Sequence, residues 1–299
     1  MITKFDELIQ AVKRSETKVI AVAYAHDPDV LGALDRAREE DIARGILVGP
    51  AEKIRQAAES VGVSADGFEI VDIADEKAAT AQAVELVREG QADVLMKGLC
   101  STSTLMSAVL NKETGLRAGG VMSHLAAFEI PSYPKLIILS DAAMNIAPDI
   151  NAKISMIESA VHAARRLGIE RPKVAIIGAV EKVNPESMPC TVDASILTQM
   201  NRRGQIKNCI IDGPLAVDNA FSRKSCEVKG IDSPVGGDAD IAITPDIEAG
   251  NIFYKLMAYL AGAKTAGIIV GAKKPIVLTS RSDSEEIKFL SIVFAMQVS

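Results

Sequence analysis

The chain has 299 residues, of which 48% are hydrophobic and 24% charged, and its formal net charge is -6. This composition can build one large α/β domain or two smaller ones. The negative net charge argues against a general nucleic-acid-binding protein. No apolar run approaches the roughly 18 residues that a membrane span needs, so we expect no membrane partner either.

The N-terminus and the cysteines indicate a cytoplasmic protein. Residues 1–7 open an amphipathic helix and lack the apolar core of a signal peptide. The cysteines lie far apart and form no C-x-x-C pair, so we expect neither disulfides nor structural zinc. They are Cys100, Cys190, Cys209 and Cys226.

Short runs of Val, Ile and Leu alternate with helical patterns along almost the whole chain. Such continuous apolar runs are typical of parallel strands that are covered on both faces. Helix starts are recognisable at Asp27-Pro28 and at Pro50. The alternation therefore predicts an α/β fold with parallel sheets. In chain order, the predicted strands are 18–23, 45–48, 68–71, 94–96, 135–139, 174–177, 209–211, 241–243, 267–270 and 276–278.

The loop 111–120 interrupts this alternation near the middle of the chain. A domain change near residue 130 would explain it, and the absence of a flexible linker suggests two domains that share a rigid hinge. We expect a ligand in the cleft between them, near the carboxyl ends of strands.

The segment 273–286 contains the strongest local signal for a catalytic site. An apolar strand is followed by Ser280 and Arg281, and then by an acidic turn that opens an apolar helix. Ser282 and Glu285 fit the capping box that marks a helix start. A hydroxyl, a guanidinium and the free N–H groups of a helix N-terminus suit a phosphate or a developing oxyanion.

Four other loops, 96–104, 212–218, 232–237 and 245–251, contain residues that phosphate sites use. The loop 96–104 combines Lys97 and Gly98 with several hydroxyls, but it lacks the G-x-x-x-x-G-K-[ST] pattern, so ATP binding is not supported. Cys100 in this loop could be proposed as an acyl-carrying nucleophile, although no histidine lies in a recognisable partner motif. In the loop 232–237, paired glycines would permit close approach to a ligand.

The order of the motifs is more specific than any one of them. They are Met96-Lys97-Gly98, Asp141-Ala142-Ala143-Met144-Asn145, Asp212-Gly213-Pro214-Leu215, Ser233-Pro234-Val235-Gly236-Gly237, Pro245-Asp246, Ala249-Gly250-Asn251, Tyr254-Lys255, Lys274-Pro275 and Ser280-Arg281. This order resembles the phosphate acetyl/butyryltransferase family over nearly the whole chain. The segments 128–131, 141–143 and 146–149 make the butyryl branch, phosphate butyryltransferase, the nearer one.

The resemblance implies two parallel-sheet α/β domains with an interdomain cleft, a fold shared with isocitrate and isopropylmalate dehydrogenases. The first domain would comprise 1–130 and 272–299, and the second, inserted domain 131–271. The implied reaction converts acyl-CoA and phosphate into acyl phosphate and CoA by direct transfer in a ternary complex. It uses no metal and no cofactor beyond coenzyme A as a substrate, and we expect a homodimer or a higher homo-oligomer.

The resemblance also implies roles for the residues of the C-terminal turn. Arg281 would bind phosphate, and Ser280 would donate to the thioester oxyanion or to the departing thiolate. The family places an aspartate just before the isoleucine of the following helix. Here Glu286 precedes Ile287, and the segment is one residue shorter, so either Glu286 or Asp283 is the proton acceptor. The predicted substrate-binding residues are Lys97, Thr102, Asn145, Lys274 and Asp283.

Two alternatives remain open. A nicotinamide-dependent oxidoreductase could share the fold, although the chain has no G-x-G-x-x-G after a strand and no evident acidic metal cluster. The change to Glu286 also permits a non-catalytic acyl-CoA-binding protein.

Overall fold

The computed structural model describes residues 1–280 and 283–299. The strands are β1 Lys18–Ala23, β2 Ala43–Gly49, β3 Glu69–Asp72, β4 Val94–Lys97, β5 Ser123–Glu129, β6 Ile137–Ser140, β7 Lys173–Ile177, β8 Ile210–Leu215, β9 Ile241–Ile243, β10 Lys264–Val270 and β11 Ile276–Val277. The helices are α1 Phe5–Lys13, α2 Pro28–Glu39, α3 Ala51–Ser60, α4 Glu76–Arg88, α5 Thr102–Val109, α6 Ile150–Arg166, α7 Cys190–Arg202, α8 Val217–Phe221, α9 Arg223–Lys229, α10 Ile247–Tyr259 and α11 Glu285–Val298.

The chain forms two compact units. The first comprises Phe5–Gly120 and Ala266–Ser299, and the second comprises Met1–Lys4 and Val121–Thr265. The predicted domain boundaries, 1–130 with 272–299 and 131–271, stay a prediction. Within the described residues, no helix is long and apolar enough to cross a membrane.

Each unit contains a mostly parallel sheet, as the apolar runs predict. In the first unit the strand order is β3-β2-β1-β4-β11-β10, and in the second it is β5-β6-β9-β7-β8. Each of the ten predicted strands overlaps a strand of the structure, whereas β5 was not predicted. The α/β fold class is therefore confirmed.

Two strand pairs depart from the parallel arrangement that the apolar runs predict. Strand β5 pairs antiparallel with β6, and β10 pairs antiparallel with β11. In both pairs the strands follow each other directly in the chain without an intervening helix. A short connection can reverse the chain direction but cannot carry it back for a parallel pairing.

The core of the first unit is formed largely by α11. This helix is apolar on all sides, and Phe289, Leu290, Val293 and Phe294 are at most 1% exposed. A helix with no polar face is stable only when it is surrounded by other elements. It packs against α1, α2 and β11, which fixes the position of the turn that precedes it.

Glycines in the second unit allow neighbouring backbones to approach. A Cβ on Gly250 of α10 would lie 2.0 Å from the carbonyl oxygen of Asp141, and the next residue, Asn251, donates from Nδ2 to the Ala142 carbonyl at 3.0 Å. A Cβ on Gly237 would lie 2.5 Å from the backbone of Arg223. The space that a side chain at Gly237 would need is occupied by α9, and the predicted approach of these glycines to a ligand stays a prediction.

We predict that Gly250→Ala destabilises the protein. Helix propensity alone would favour alanine by about 1 kcal/mol, but a methyl group pressed into the Asp141 carbonyl costs about 1–3 kcal/mol or more. Denaturant unfolding should therefore show a lower free energy of unfolding. Gly178→Ala is the control, since its Cβ would meet its nearest atom at 3.4 Å. A more stable Gly250→Ala protein would contradict the contact.

Candidate active site

The carboxyl ends of three neighbouring strands of the first unit meet at one edge of its sheet. Strand β4 pairs in parallel with β1 on one side and with β11 on the other. The loops that follow them begin at residues 24, 98 and 278. Ligands of open parallel sheets bind beyond the carboxyl ends of strands, so this edge is the candidate site.

The turn after β11 is tied together by reciprocal hydrogen bonds. The Ser280 N–H donates to Asp283 Oδ2 at 2.7 Å, and the Asp283 N–H donates to the Ser280 carbonyl at 3.1 Å. Asp283 is buried, whereas Ser280 is exposed at the edge of the sheet. Arg281, the predicted phosphate ligand, lies outside the described residues, as does Ser282.

The helix after this turn begins later than predicted. The N-cap of α11 is Ser284, whose hydroxyl accepts from the Ile287 N–H at 3.3 Å, and the helix starts at Glu285. The predicted start at a Ser282–Glu285 capping box is therefore wrong. Asp283, directly before this N-cap, accepts the hydrogen bond of the Ser280 N–H.

The two candidate carboxylates have different surroundings. Glu286 is 51% exposed and accepts a hydrogen bond from the Arg36 guanidinium of α2. Arg36 also donates to Glu40 at 3.0 Å and lies 3.7 Å from the centre of the Phe289 ring. Burial lowers the pKa of Arg36, but its bonds to Glu40 and Glu286 outweigh burial and raise it above the ordinary value. Asp283 is thus held to Ser280, and Glu286 is held to α2.

The loop after β4 contacts the loop after β1 through backbone atoms. Gly98 N donates to the Ala23 carbonyl and Leu99 N to the Tyr24 carbonyl, both at 2.9 Å. A Cβ on Gly98 would lie 2.4 Å from that Tyr24 oxygen, so only glycine fits. Lys97 is 7% exposed and its Nζ donates to the Gly98 carbonyl at 3.0 Å.

Two further residues of this loop have clear positions. Thr102 is exposed as the first residue of α5, where it is accessible to a ligand. Cys100 is fully buried, and its Sγ lies 3.5 Å from the Ala23 carbonyl. Burial raises the pKa of the Cys100 thiol, so little thiolate forms at neutral pH. These features do not support an acyl-cysteine route.

His26, which lies in no recognisable partner motif of the sequence, is part of the loop after β1. Its Nδ1 is buried and, among the described residues, has no hydrogen-bond partner, and its ring lies 4.4 Å from that of Tyr24. Tyr24 itself has a left-handed backbone with φ of 59°. Such backbone strain clusters at functional sites, and the available signal in the sequence was a histidine three residues after the end of the first strand.

Lys274 lies at the opposite edge of the sheet from Ser280. It precedes β11, and its Nζ lies 3.3 Å from Oδ1 of Asp93, the residue before β4. Both residues are therefore at the amino ends of their strands. The structure does not bring Lys274 together with Ser280 and Lys97.

Asn145 lies in the second unit, in a loop that Asp141 organises. The Asp141 carboxylate accepts from the backbone N–H groups of Ala143, Met144 and Asn145 at 2.8–3.2 Å. Asn145 Nδ2 donates to Asp141 Oδ2 at 2.6 Å and to the Met122 carbonyl at 2.9 Å. Both of its amide hydrogens are thus used, and Asn145 can offer a ligand only its acceptor oxygen.

Among the described residues, no group of three or more His, Cys, Asp or Glu side chains is arranged to hold a metal ion. What the edge of the first unit offers is a hydroxyl, a buried ammonium and two carboxylates around a turn. Such a set can bind an anion and accept a proton. The fold and the edge together define an α/β enzyme that acts on anionic substrates.

Comparisons with known proteins identify the family. The family described as Phosphate acetyl/butaryl transferase matches residues 4–81 and 75–296. The chain is 47% identical over 298 residues to the phosphate butyryltransferase of Clostridium acetobutylicum, covering 100% of this chain and 99% of that protein. It is 46% identical over 291 residues to the phosphate acetyltransferase of Thermotoga maritima, covering 97% of this chain and 98% of that protein.

A solved structure agrees with these relatives. The branched-chain phosphotransacylase from Enterococcus faecalis V583 is similar at a TM-score of 0.84 and 35% identity, covering 94% of this chain and 99% of that chain. The chain belongs to the phosphate acetyl/butyryl transferase family. The predicted family is confirmed, and the relatives favour an acyltransferase over an oxidoreductase or a non-catalytic binding protein.

We predict that His26 titrates below its ordinary pKa of 6.5. Burial lowers the pKa and the charge of Lys53 lowers it further, while Asp27 raises it. Lys53→Met should therefore move the pKa upward, which an NMR titration of the imidazole protons would measure, with His26→Gln assigning the signal. Lys112→Met, which removes an exposed lysine, is the control.

The same shift links His26 to stability. Below pH 6.5 the unfolded chain takes up a proton that the folded chain resists, so the folded state loses stability as the pH falls. His26→Gln should remove this part of the loss. A measured His26 pKa at or above 6.5 would contradict the buried environment.

Proposed function

We propose that this protein transfers a short acyl group between coenzyme A and inorganic phosphate: acyl-CoA plus phosphate gives acyl phosphate plus CoA. The observation that carries the proposal is the full-length similarity to phosphate butyryltransferase, 47% over 298 residues. The exposed Ser280 at the carboxyl edge of the sheet gives that similarity a chemical basis.

The site has to hold two anions in a protein of net charge -6. The positive charge must therefore be local. Lys97 and Lys288 place ammonium groups in buried positions behind the edge. The ammonium of Lys97 donates to the Gly98 carbonyl, and that of Lys288 donates to the Asp283 carbonyl. Charges fixed in this way need no reorganisation when a phosphate arrives, which is the main electrostatic advantage of an enzyme site.

The transfer proceeds directly in a ternary complex. The CoA thiol gives its proton to a carboxylate, and the sulfur attacks the carbonyl carbon of the acyl phosphate. The C–S bond forms as the C–O bond to phosphate breaks, and phosphate leaves with both electrons of that bond. Arg281 binds the phosphate, and Ser280 donates to the oxyanion or to the thiolate. In the reverse direction a phosphate oxygen attacks the thioester.

We assign the proton acceptor to Glu286 and a holding role to Asp283. The Asp283 carboxylate is already an acceptor for the Ser280 N–H, whereas Glu286 is half-exposed and open to a substrate. The neighbouring guanidinium of Arg36 donates to the Glu286 carboxylate and holds it in place. Positioning of the reacting groups supplies much of the rate.

Butyryl and branched four- and five-carbon groups are the acyl chains that we propose. Sequence identity alone does not separate them from acetyl, since it is 47% to a butyryltransferase and 46% to an acetyltransferase. The segments 128–131 and 146–149 favour the butyryl branch. A single methylene changes binding by only about 1–3 kcal/mol, so we expect overlapping substrates. A homo-oligomer in the cytoplasm, with no nucleic-acid or membrane partner, is the accompanying prediction.

The first test is release of the CoA thiol from butyryl-CoA in the presence of phosphate. We expect phosphate-dependent release for the wild-type protein, and a fall in kcat/KM of about 10²–10³-fold for Arg281→Ala, because a charged donor to the transferred phosphate is lost. Arg88→Ala, which removes an arginine paired with Glu85 at the end of α4, is the control and should keep the rate.

Two outcomes would contradict the proposal. Absence of thiol release from every acyl-CoA up to branched five-carbon chains would exclude the transferase activity. Full activity of Arg281→Ala would exclude the role of the turn.

The second test separates the two carboxylates. Glu286→Gln should lower kcat by about 10²–10⁴-fold and remove the acid limb of the pH–rate profile, because it removes the proton acceptor. Asp283→Asn should lower kcat/KM through a disturbed turn but leave the shape of the profile. Glu285→Gln, on the same first turn of α11, should resemble wild type. Loss of the acid limb in Asp283→Asn alone would reverse the assignment.

A further inference from the structure

A buried ammonium group lies directly behind the Ser280 turn. Lys288 is 1% exposed, although lysine is almost never fully buried unless its charge is paired. Its Nζ donates to the Asp283 carbonyl at 2.6 Å and to Asp29 Oδ2 at 3.2 Å. Its neighbours on α11, including Phe289 and Ile292, are fully buried apolar residues.

Stability does not explain a charge at this position. Asp29 is the second residue of α2, so the ammonium lies beside a helix N-terminus, where the helix dipole disfavours a cation. The carboxyl partner is 55% exposed, which weakens the pairing by solvent screening. Burying an ammonium costs several kcal/mol, and an apolar side chain of similar length would pack among these neighbours without that cost.

The contacts of Lys288 extend to Ser280 in two steps. Lys288 fixes the carbonyl of Asp283, and the carboxylate of Asp283 fixes the N–H of Ser280. Asp283 is therefore held by Lys288 at its main-chain carbonyl, and it holds Ser280 with its side chain. The ammonium also provides a positive charge behind the place where a phosphate would bind.

We propose that Lys288 is a positioning residue for acyl transfer. Its buried ammonium holds Asp283, and through it the Ser280 turn, in the geometry that binds the phosphoryl group, and its charge favours binding of that group. Lys288 does not itself touch the substrate. This inference rests on the proposed function.

The test is Lys288→Met, which keeps an unbranched apolar stem and removes the ammonium. We expect kcat/KM for phosphate to fall by about 10²-fold, the scale of a small misplacement of reacting groups, and the KM for phosphate to rise more than that for butyryl-CoA. The matched control is Lys153→Met. Lys153 lies on α6, far along the chain from the turn, and is 4% exposed. Its Nζ pairs with Oδ2 of Asp193 on α7 at 2.6 Å.

The control separates positioning from stability. Both variants remove a buried ammonium, and the melting temperature of each checks that it folds, but only Lys288→Met should change the kinetics. If the unmodified protein is active and a folded Lys288→Met protein has the same kcat/KM, the inference is overturned and the proposed function stands. An inactive wild-type protein would instead overturn the proposed function.

A second variant covers the case in which Lys288→Met does not fold. Asp29→Asn removes the exposed partner of Lys288 and leaves the buried side chain in place. We expect a smaller rise in the KM for phosphate, because the ammonium loses one of its two partners but keeps the Asp283 carbonyl. An unchanged KM for phosphate in a folded Asp29→Asn protein would count against the proposal.

Discussion

The parallel pairing of β4 with both β1 and β11 is the constraint on which the candidate site depends. Ala23 lies opposite Lys97, and Val277 lies opposite Met96. Parallel strands in register end at the same edge, so loops from the two ends of the chain meet there. Among the described residues, the groups proposed for catalysis are placed relative to that edge.

Contacts between backbones keep these loops in place. Gly98 lets its loop touch the Tyr24 carbonyl, and in the second unit Gly250 lets α10 touch the Asp141 carbonyl. Both glycines belong to motifs that the sequence also allows to be ligand sites, because a glycine lets either a ligand or another part of the protein come close to the backbone. In this chain the partner is the protein itself, and the motifs hold loops rigid where the chemistry needs fixed dipoles.

The positive charges around the edge are held by protein oxygens rather than left mobile. Lys97 and Lys288 donate to backbone carbonyls, and Arg36 donates to Glu286. A fixed cation raises the local potential without taking a conformational step during the reaction. In a chain of net charge -6, this arrangement provides the local positive charge that the proposed function requires.

The sequence by itself determined the α/β class, ten of the strands and the family, because apolar runs, turn residues and motif order are local properties of the chain. Only the tertiary structure decided the antiparallel pairings, the existence of β5, the separation of Lys274 from Ser280 and the different surroundings of Asp283 and Glu286. The reason is distance along the chain. Arg36 meets Glu286 across 250 residues and Asp29 meets Lys288 across 259, and no local pattern encodes such contacts.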